Sequence, residues 1–190
     1  MARPRSTLLD GLARRLIRAA RNRRGVSAIE FALIFPVLIL LYVGAAETGN
    51  MLTIYRRTFE IAATAADLTA QVKTVSTADL ADIVTASNSI MSPFATVPLR
   101  TVITSVVADQ NNAGKVSWSY ASSGAARGVN SAYPLPTGLT EPGSSVIVAE
   151  VTYAFTPLVN MIKYFSPGSF TMSQTFYTRP RKSLIVTKTN

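Results

Sequence analysis

The chain contains neither cysteine nor histidine. Their absence excludes disulfides, thiolate nucleophiles, Cys/His zinc sites and any triad built on an imidazole base. Acidic residues are scarce, ten in 190, and none forms a recognisable general acid–base pair. Asp79 and Asp82 stand three apart, a spacing more typical of a solvated helix face than of catalytic carboxylates. The expectation is a protein that is not an enzyme, with no cofactor and no metal.

The formal charge of +9 would suggest an anionic partner if it were spread along the chain. It is not. Residues 1–25 carry eight arginines against Asp10 alone, whereas residues 26–190 carry eleven basic and nine acidic side chains. A nearly neutral body gives no electrostatic footprint for DNA or RNA, so nucleic acid is not an expected partner.

One long apolar run is present. From Phe31 to Ala46 no residue is charged, and back to Val26 only Glu30 interrupts. At about 1.5 Å per helical residue these 21 residues reach roughly 30 Å, the thickness of a bilayer core. Pro36 and Gly44 fall inside the run as expected kink positions, which membrane helices tolerate. The arginines before the run place the N-terminus on the cytoplasmic side and the body outside. Leu9, Leu12, Leu16 and Ala20 recur at helical spacing, so the leader reads either as a basic amphipathic helix on an anionic leaflet or as a disordered basic tail. Val43 and Ala45 offer a small-residue cleavage pattern, but the 24-residue basic region and the length of the apolar run fit a conventional secretory signal poorly.

The stretch from Arg23 holds the sharpest pattern: Arg23-Arg24-Gly25, then Val26-Ser27-Ala28-Ile29, then Glu30-Phe31. It resembles the class III signal of pilins and pseudopilins. The wider segment GVSAIEFALIFPVLILLYVGAAETG is similar to the start of the TadE-like family, pilin-like proteins of tight-adherence (Tad) pilus systems, through Glu30-Phe31-Ala32, Pro36, Gly44, Glu47 and Gly49. The likeness is specific over about 25 residues and only general beyond. It implies cleavage after Gly25 by a membrane prepilin peptidase, freeing the α-amine of Val26. Glycine suits such a site because its backbone can be approached closely and extended. The amine would be a partner for Glu30, four residues on within one helix or between staggered subunits, with Phe31 beside it. The alternative pairs Glu30 with Arg23 or Arg24 at the cytoplasmic interface. Valine at the new N-terminus departs from the phenylalanine usual in methylated pilins, so methylation is not expected.

Helical pattern continues past the membrane. Leu52, Tyr55, Phe59, Ala62/Ala63, Ala66 and Ala70 are expected to share the packed face of one spine running from Val26 to about Val72. Such a helix reads as a pilin spine or, equally, as a single anchor with a helical stalk. Ser76 caps a second, short helix with Asp79 in its first turn, ending near Met91 with Leu80, Ile83, Val84 and Ile90 on its apolar side. Strand patterns follow at Leu99–Asp109 and Lys115–Ser122, joined by a turn at Asp109–Gly114, with Val116, Trp118 and Tyr120 expected on one face. Residues Ser123–Ser145 read as an exposed loop. Ser145–Phe155 is the strongest strand and fits a central position. A short helix is expected at Leu158–Phe165 and a last strand at Ser169–Arg181. Arg179, Arg181, Lys182 and Lys188 read as a solvated basic end.

The sequence therefore predicts an α+β, pilin-like chain: a long N-terminal transmembrane spine packed on an antiparallel sheet of about four strands, plus one short helix. Its expected segments are a leader (1–25), a membrane span (26–46), the rest of the spine (47–73) and an extracytoplasmic domain (74–190). The resemblance implies a minor pilin or pseudopilin needed for pilus assembly and adhesion. Its expected partners are the inner membrane, a prepilin peptidase, other Tad pilins and pseudopilins, and an assembly platform. The alternative is an uncleaved single-pass anchor carrying a binding or scaffold domain.

Overall fold

A computed structural model describes residues 23–157 and 169–189. Residues 1–22 of the expected leader and the helix expected at Leu158–Phe165 lie outside the described residues. In chain order the elements are α1 (Arg23–Ala70), β1 (Thr74–Val75), α2 (Thr77–Asn88) with a 3₁₀ turn (Ser89–Met91), β2 (Leu99–Ala108), β3 (Gly114–Ala121), β4 (Ser145–Phe155), β5 (Phe170–Thr178) and β6 (Thr187–Lys188). The chain divides into two compact units, Met1–Ala46 and Glu47–Asn190.

The described part of the first unit is helical from Arg23, and its helix runs through Pro36 and Gly44 without interruption. Residues Val26 to Tyr42 are all exposed, and the helix is long and apolar enough to cross a membrane. Phe31 and Phe35, one turn apart, place their ring centroids 5.4 Å apart.

The second unit is built on a four-stranded antiparallel sheet in the order β3-β2-β4-β5. With α1 and α2 this makes the α+β architecture expected from the sequence. One face is covered by helix. Ile54, Ile61, Ala62, Ala65, Ala66 and Ala70 of α1 join Leu80 and Val84 of α2 and Ile103, Trp118, Ile147, Ala149, Val151 and Tyr153 of the sheet in one buried core. The packed stripe of α1 differs from the expected one. Ala62, Ala66 and Ala70 are buried as expected, but Leu52, Tyr55 and Phe59 are exposed, and Ile54, Thr58, Ile61, Ala65 and Thr69 are buried beside the alanines in their place. The two buried threonines lie on the sheet side because their hydroxyls bond the carbonyls one turn back, Thr58 to Ile54 at 2.7 Å and Thr69 to Ala65 at 2.8 Å. The hydroxyl is satisfied within the helix, and a small β-carbon shell is left for close approach to the sheet.

The short helix starts as the sequence predicts. Asp79 N–H donates to the Ser76 hydroxyl at 3.1 Å, and the Asp79 carboxylate accepts from Ser76 N–H at 2.8 Å. This reciprocal capping box satisfies two otherwise orphaned donors. The α-helix ends at Asn88, and the 3₁₀ turn carries the chain to Met91, which is buried.

Two further corrections concern the sheet. The register of β2 and β3 shifts between Ser105 and Val106: Ser105 stands opposite Trp118, but Val106 stands opposite Val116. Ser117 is the extra residue of a bulge, which turns Val116 to the face opposite Trp118 and Tyr120. Val116 accordingly lies in a second core with Val106, Tyr133, Val146 and Val148. Tyr133 comes from the segment expected to be an exposed loop. Residues 123–144 contain exposed stretches, but Tyr133 is buried and Leu135 and Leu139 pack with it over this face. The apolar start of β4 follows from this: Ile147 and Ala149 face the helices, while Val146 and Val148 face the loop.

The C-terminal segment is also fixed in place. β6 pairs in parallel with β1, Val186 is buried, and the Trp118 indole N–H donates to the Val186 carbonyl at 2.7 Å. Arg181 N–H caps the end of α1 at the Ala70 carbonyl, 2.9 Å away, and its guanidinium pairs with Asp67. Arg179 donates to the Leu139 carbonyl at 2.7 Å. The basic end is therefore a clasp on the helix and loop, with side chains still partly in solvent.

Candidate assembly interface

The residues singled out by sequence pattern lie at the start of α1. Gly25, Val26, Glu30 and Phe31 all fall within helix, with Val26 and Glu30 four residues apart on one face. Glu30 is exposed and Phe31 is 59% exposed. The side chains of Arg23 and Arg24, the alternative partners of Glu30, lie outside the described ones. Gly25 lies within the helix, two residues after its first described residue, Arg23.

Three glycines on α1 leave open space at the β-carbon position among the described residues. A β-carbon at Gly25, Gly44 or Gly49 would meet nothing within 4 Å. Inside a helix glycine costs about 1 kcal/mol relative to alanine. Pro36 adds a second cost, because it offers no N–H to the carbonyl of Ala32 and so interrupts the helical ladder. The exposed, membrane-length part of α1 thus carries residues that weaken a helix.

In the second unit the exposed side of α1 continues apolar. Met51, Leu52, Tyr55 and Phe59 recur at helical spacing, and Tyr55 and Phe59 are 49% and 45% exposed. Thr48, Met51, Leu52 and Tyr55 line a shallow groove with Phe170, Thr171 and Met172. Phe59 meets the Phe176 ring edge-on at 5.7 Å. Periodicity had assigned these residues to the core; the signal that points outward is the Ile54–Thr58–Ile61 series, which is equally periodic and lacks aromatic bulk.

A polar constellation lies on the loop side of the sheet. Arg127 forms a two-pronged pair with Glu150, at 2.8 and 2.6 Å, and stacks 4.7 Å from the Tyr133 ring centroid. The bond to Glu150 raises the Arg127 pKa, and burial with the nearby Glu150 charge holds the Tyr133 phenol well above its ordinary value. Arg100 donates to the carbonyls of Ser123 and Ala125 at 2.8 and 2.7 Å. Each cation is matched to an acceptor, and these contacts hold the loop to the sheet. Asp79 is engaged in the capping box and forms no pair with Asp82. Among the described residues no cluster of three or more Asp or Glu is placed to hold a metal ion.

A helix long and apolar enough to cross a membrane, continued by a helix-on-sheet domain, fits a pilin-like membrane protein. Residues 25–67 match the family model described as TadE-like protein. The match covers the helix from Gly25 to Asp67, less than a quarter of the chain, and bears out the resemblance read from Gly25, Glu30-Phe31, Pro36, Gly44 and Glu47. It supports a pilin-like protein associated with a Tad pilus. No curated protein and no solved structure matches the chain.

Proposed function

We propose that the chain is a minor pilin or pseudopilin of a Tad-type pilus. It is held in the inner membrane with its N-terminus cytoplasmic, cut after Gly25 by a prepilin peptidase, and assembled with other pilins through a platform to support adhesion. The observation that carries this reading is the Gly25–Val26–Glu30–Phe31 series on an exposed apolar helix, inside the segment that matches the TadE-like model.

The chemistry follows from the cut. In the uncut chain Glu30 is a carboxylate at the head of an apolar run, a costly position without a partner. Cleavage releases the Val26 α-amine, with an ordinary pKa near 8 and so largely charged at neutral pH. An amine–carboxylate contact between staggered subunits would fix one register, because every other register would leave the carboxylate unpaired among apolar helices. Glycine at position 25 suits a peptidase, since its backbone can be approached closely and extended. Pro36 and Gly44 give the helix places to bend as it moves from lipid into a packed fibre.

N-terminal sequencing of the chain from cells with the cognate peptidase should begin at Val26. A chain still starting at Met1 or Ala2, or cut near Ala46, would favour the uncleaved anchor or a secretory signal instead. Glu30→Ala should insert and be cleaved normally yet fail to assemble; normal piliation by that variant would refute the register role.

A further inference from the structure

Next to the Tyr133 core, the loop side of the sheet holds a small polar cavity of about 250 Å³. Three adjacent strands make its floor. Arg100 of β2, Thr152 of β4 and Ser173 of β5 stand opposite one another, and Val102 and Glu150 form the next rung. Ala125 and Arg127 of the β3–β4 loop make the wall. Every residue that lines the cavity belongs to the second unit. Gly124 lets the loop bend there: its φ is +69°, which glycine adopts freely, and a β-carbon would come 3.5 Å from Arg100 Nε. The bend brings the carbonyls of Ser123 and Ala125 onto one guanidinium, fixing Arg100 through Nε and Nη2. Arg127 is fixed in the same way, through Nε and Nη2 on Glu150. The Nη1 group of each arginine takes no part in these bonds, so both cations are held in place with N–H donors to spare.

The charge of the cavity does not balance. Two guanidiniums and a single carboxylate line it, a net of +1. The Arg127 and Glu150 side chains are 43% and 21% exposed, so water screens the surplus only in part. Like charges in a small, partly dried space raise each other's energy, and a bound anion removes that cost. We propose that this cavity is a binding site for a small, singly charged carboxylate that carries hydroxyl groups, of the size and chemistry of a uronic acid. The assignment goes beyond pilus assembly and does not rest on it.

The chemistry of the ligand follows from the lining. A carboxylate is planar and presents two oxygens, the shape that guanidinium N–H groups match best. A phosphate monoester is mostly doubly charged near neutral pH. Its second charge would exceed the surplus and face Glu150, so the site favours a monoanion. The hydroxyls of Thr152 and Ser173 each offer a donor and an acceptor. The bonds that hold the loop use neither of them. A purely apolar carboxylate would displace water from these hydroxyls and return nothing, whereas a hydroxylated one replaces the lost bonds. Because both arginines are already fixed, little side-chain freedom is lost on binding.

The test adds D-glucuronate to the full chain in nanodiscs of neutral lipid and follows binding by saturation-transfer NMR, with glucose and glucose 6-phosphate as comparison arms. Saturable binding with a Kd of about 1 mM or tighter is expected for a ligand of so few atoms. Glucose should bind about tenfold more weakly or worse, and glucose 6-phosphate more weakly than glucuronate. Arg100→Gln should abolish binding. Thr152→Val, which leaves every loop contact in place, should weaken it about threefold to tenfold. Lys182→Gln, a cation outside the cavity, should leave it unchanged. Retention of the near-ultraviolet signal of Trp118 checks the fold of each variant, and if Arg100→Gln loses that signal, Thr152→Val decides alone. Four results would each overturn the proposal: no saturation, glucose bound as tightly as glucuronate, glucose 6-phosphate bound more tightly, or undiminished binding by Thr152→Val. None of these outcomes depends on cleavage after Gly25 or on assembly, so failure here would leave the pilin reading standing.

Discussion

At the scale of single residues, Ser76 and Asp79 show how much a local motif decides. The Ser76 N–H and then its hydroxyl hold the Asp79 carboxyl below its ordinary value. A carboxylate whose folded pKa is depressed contributes stability above its unfolded value of about 3.9, and that contribution is lost as pH falls through the lower folded value. Ser76→Ala should cost roughly 1 kcal/mol in denaturant titrations of the full chain. Asp79→Asn should flatten the loss of stability on acidification below about pH 4; an unchanged acid limb would show that the cap is not what titrates. Ser105 behaves differently. It is fully buried on the helix side of β2, and its hydroxyl has no hydrogen-bond partner among the described residues. Removing an unpaired buried hydroxyl relieves a desolvation cost, so Ser105→Ala should be neutral or stabilising by up to about 1 kcal/mol. A clear loss of stability would mean that the hydroxyl has a partner.

At the scale of the element, α1 separates two kinds of apolar residue. Both Leu52–Tyr55–Phe59 and Ile54–Ile61–Ala65 satisfy helical spacing, and a periodicity argument favours the first because its side chains are larger. The sheet selects the second, since alanine and threonine let the helix axis approach closely and fill the interface without strain. Ala65→Leu should therefore cost about 1–3 kcal/mol by overpacking, whereas Leu52→Ala should stay within about 0.5 kcal/mol. The reverse ranking in thermal unfolding would restore the face inferred from the sequence. The large residues freed from core duty supply the stripe beside β5.

At the scale of the whole molecule, the loop between β3 and β4 covers one sheet face and bonds the start of the β3 edge at Gly114 and Val116. Gly114 permits it: a β-carbon there would sit 2.5 Å from the Tyr133 carbonyl oxygen and 3.0 Å from Val106 Cγ1. Gly114→Ala should lift the loop off the edge. The expected readout is faster amide exchange at Asn130–Tyr133, with exchange in β4 unchanged. Equal exchange throughout would show that the loop tolerates the intrusion and that the cover is loose.

Much of this fold was legible along the chain because its signals are local. The membrane-length apolar run, the Ser76 capping box, the turn at Asp109–Gly114 and the strands at Leu99, Ser145 and Phe170 each depend on neighbours a few residues away. The Gly25–Glu30 pattern is local too, and it pointed to the family whose model matches residues 25–67. Tertiary structure alone decided which stripe of α1 is buried, where β3 bulges at Ser117, that Tyr133 closes a second core, and that β6 returns to β1 beneath Trp118. These outcomes depend on contacts between residues far apart in sequence. There, the space left by one element selects the side chains of another, and no periodicity within either one encodes that choice.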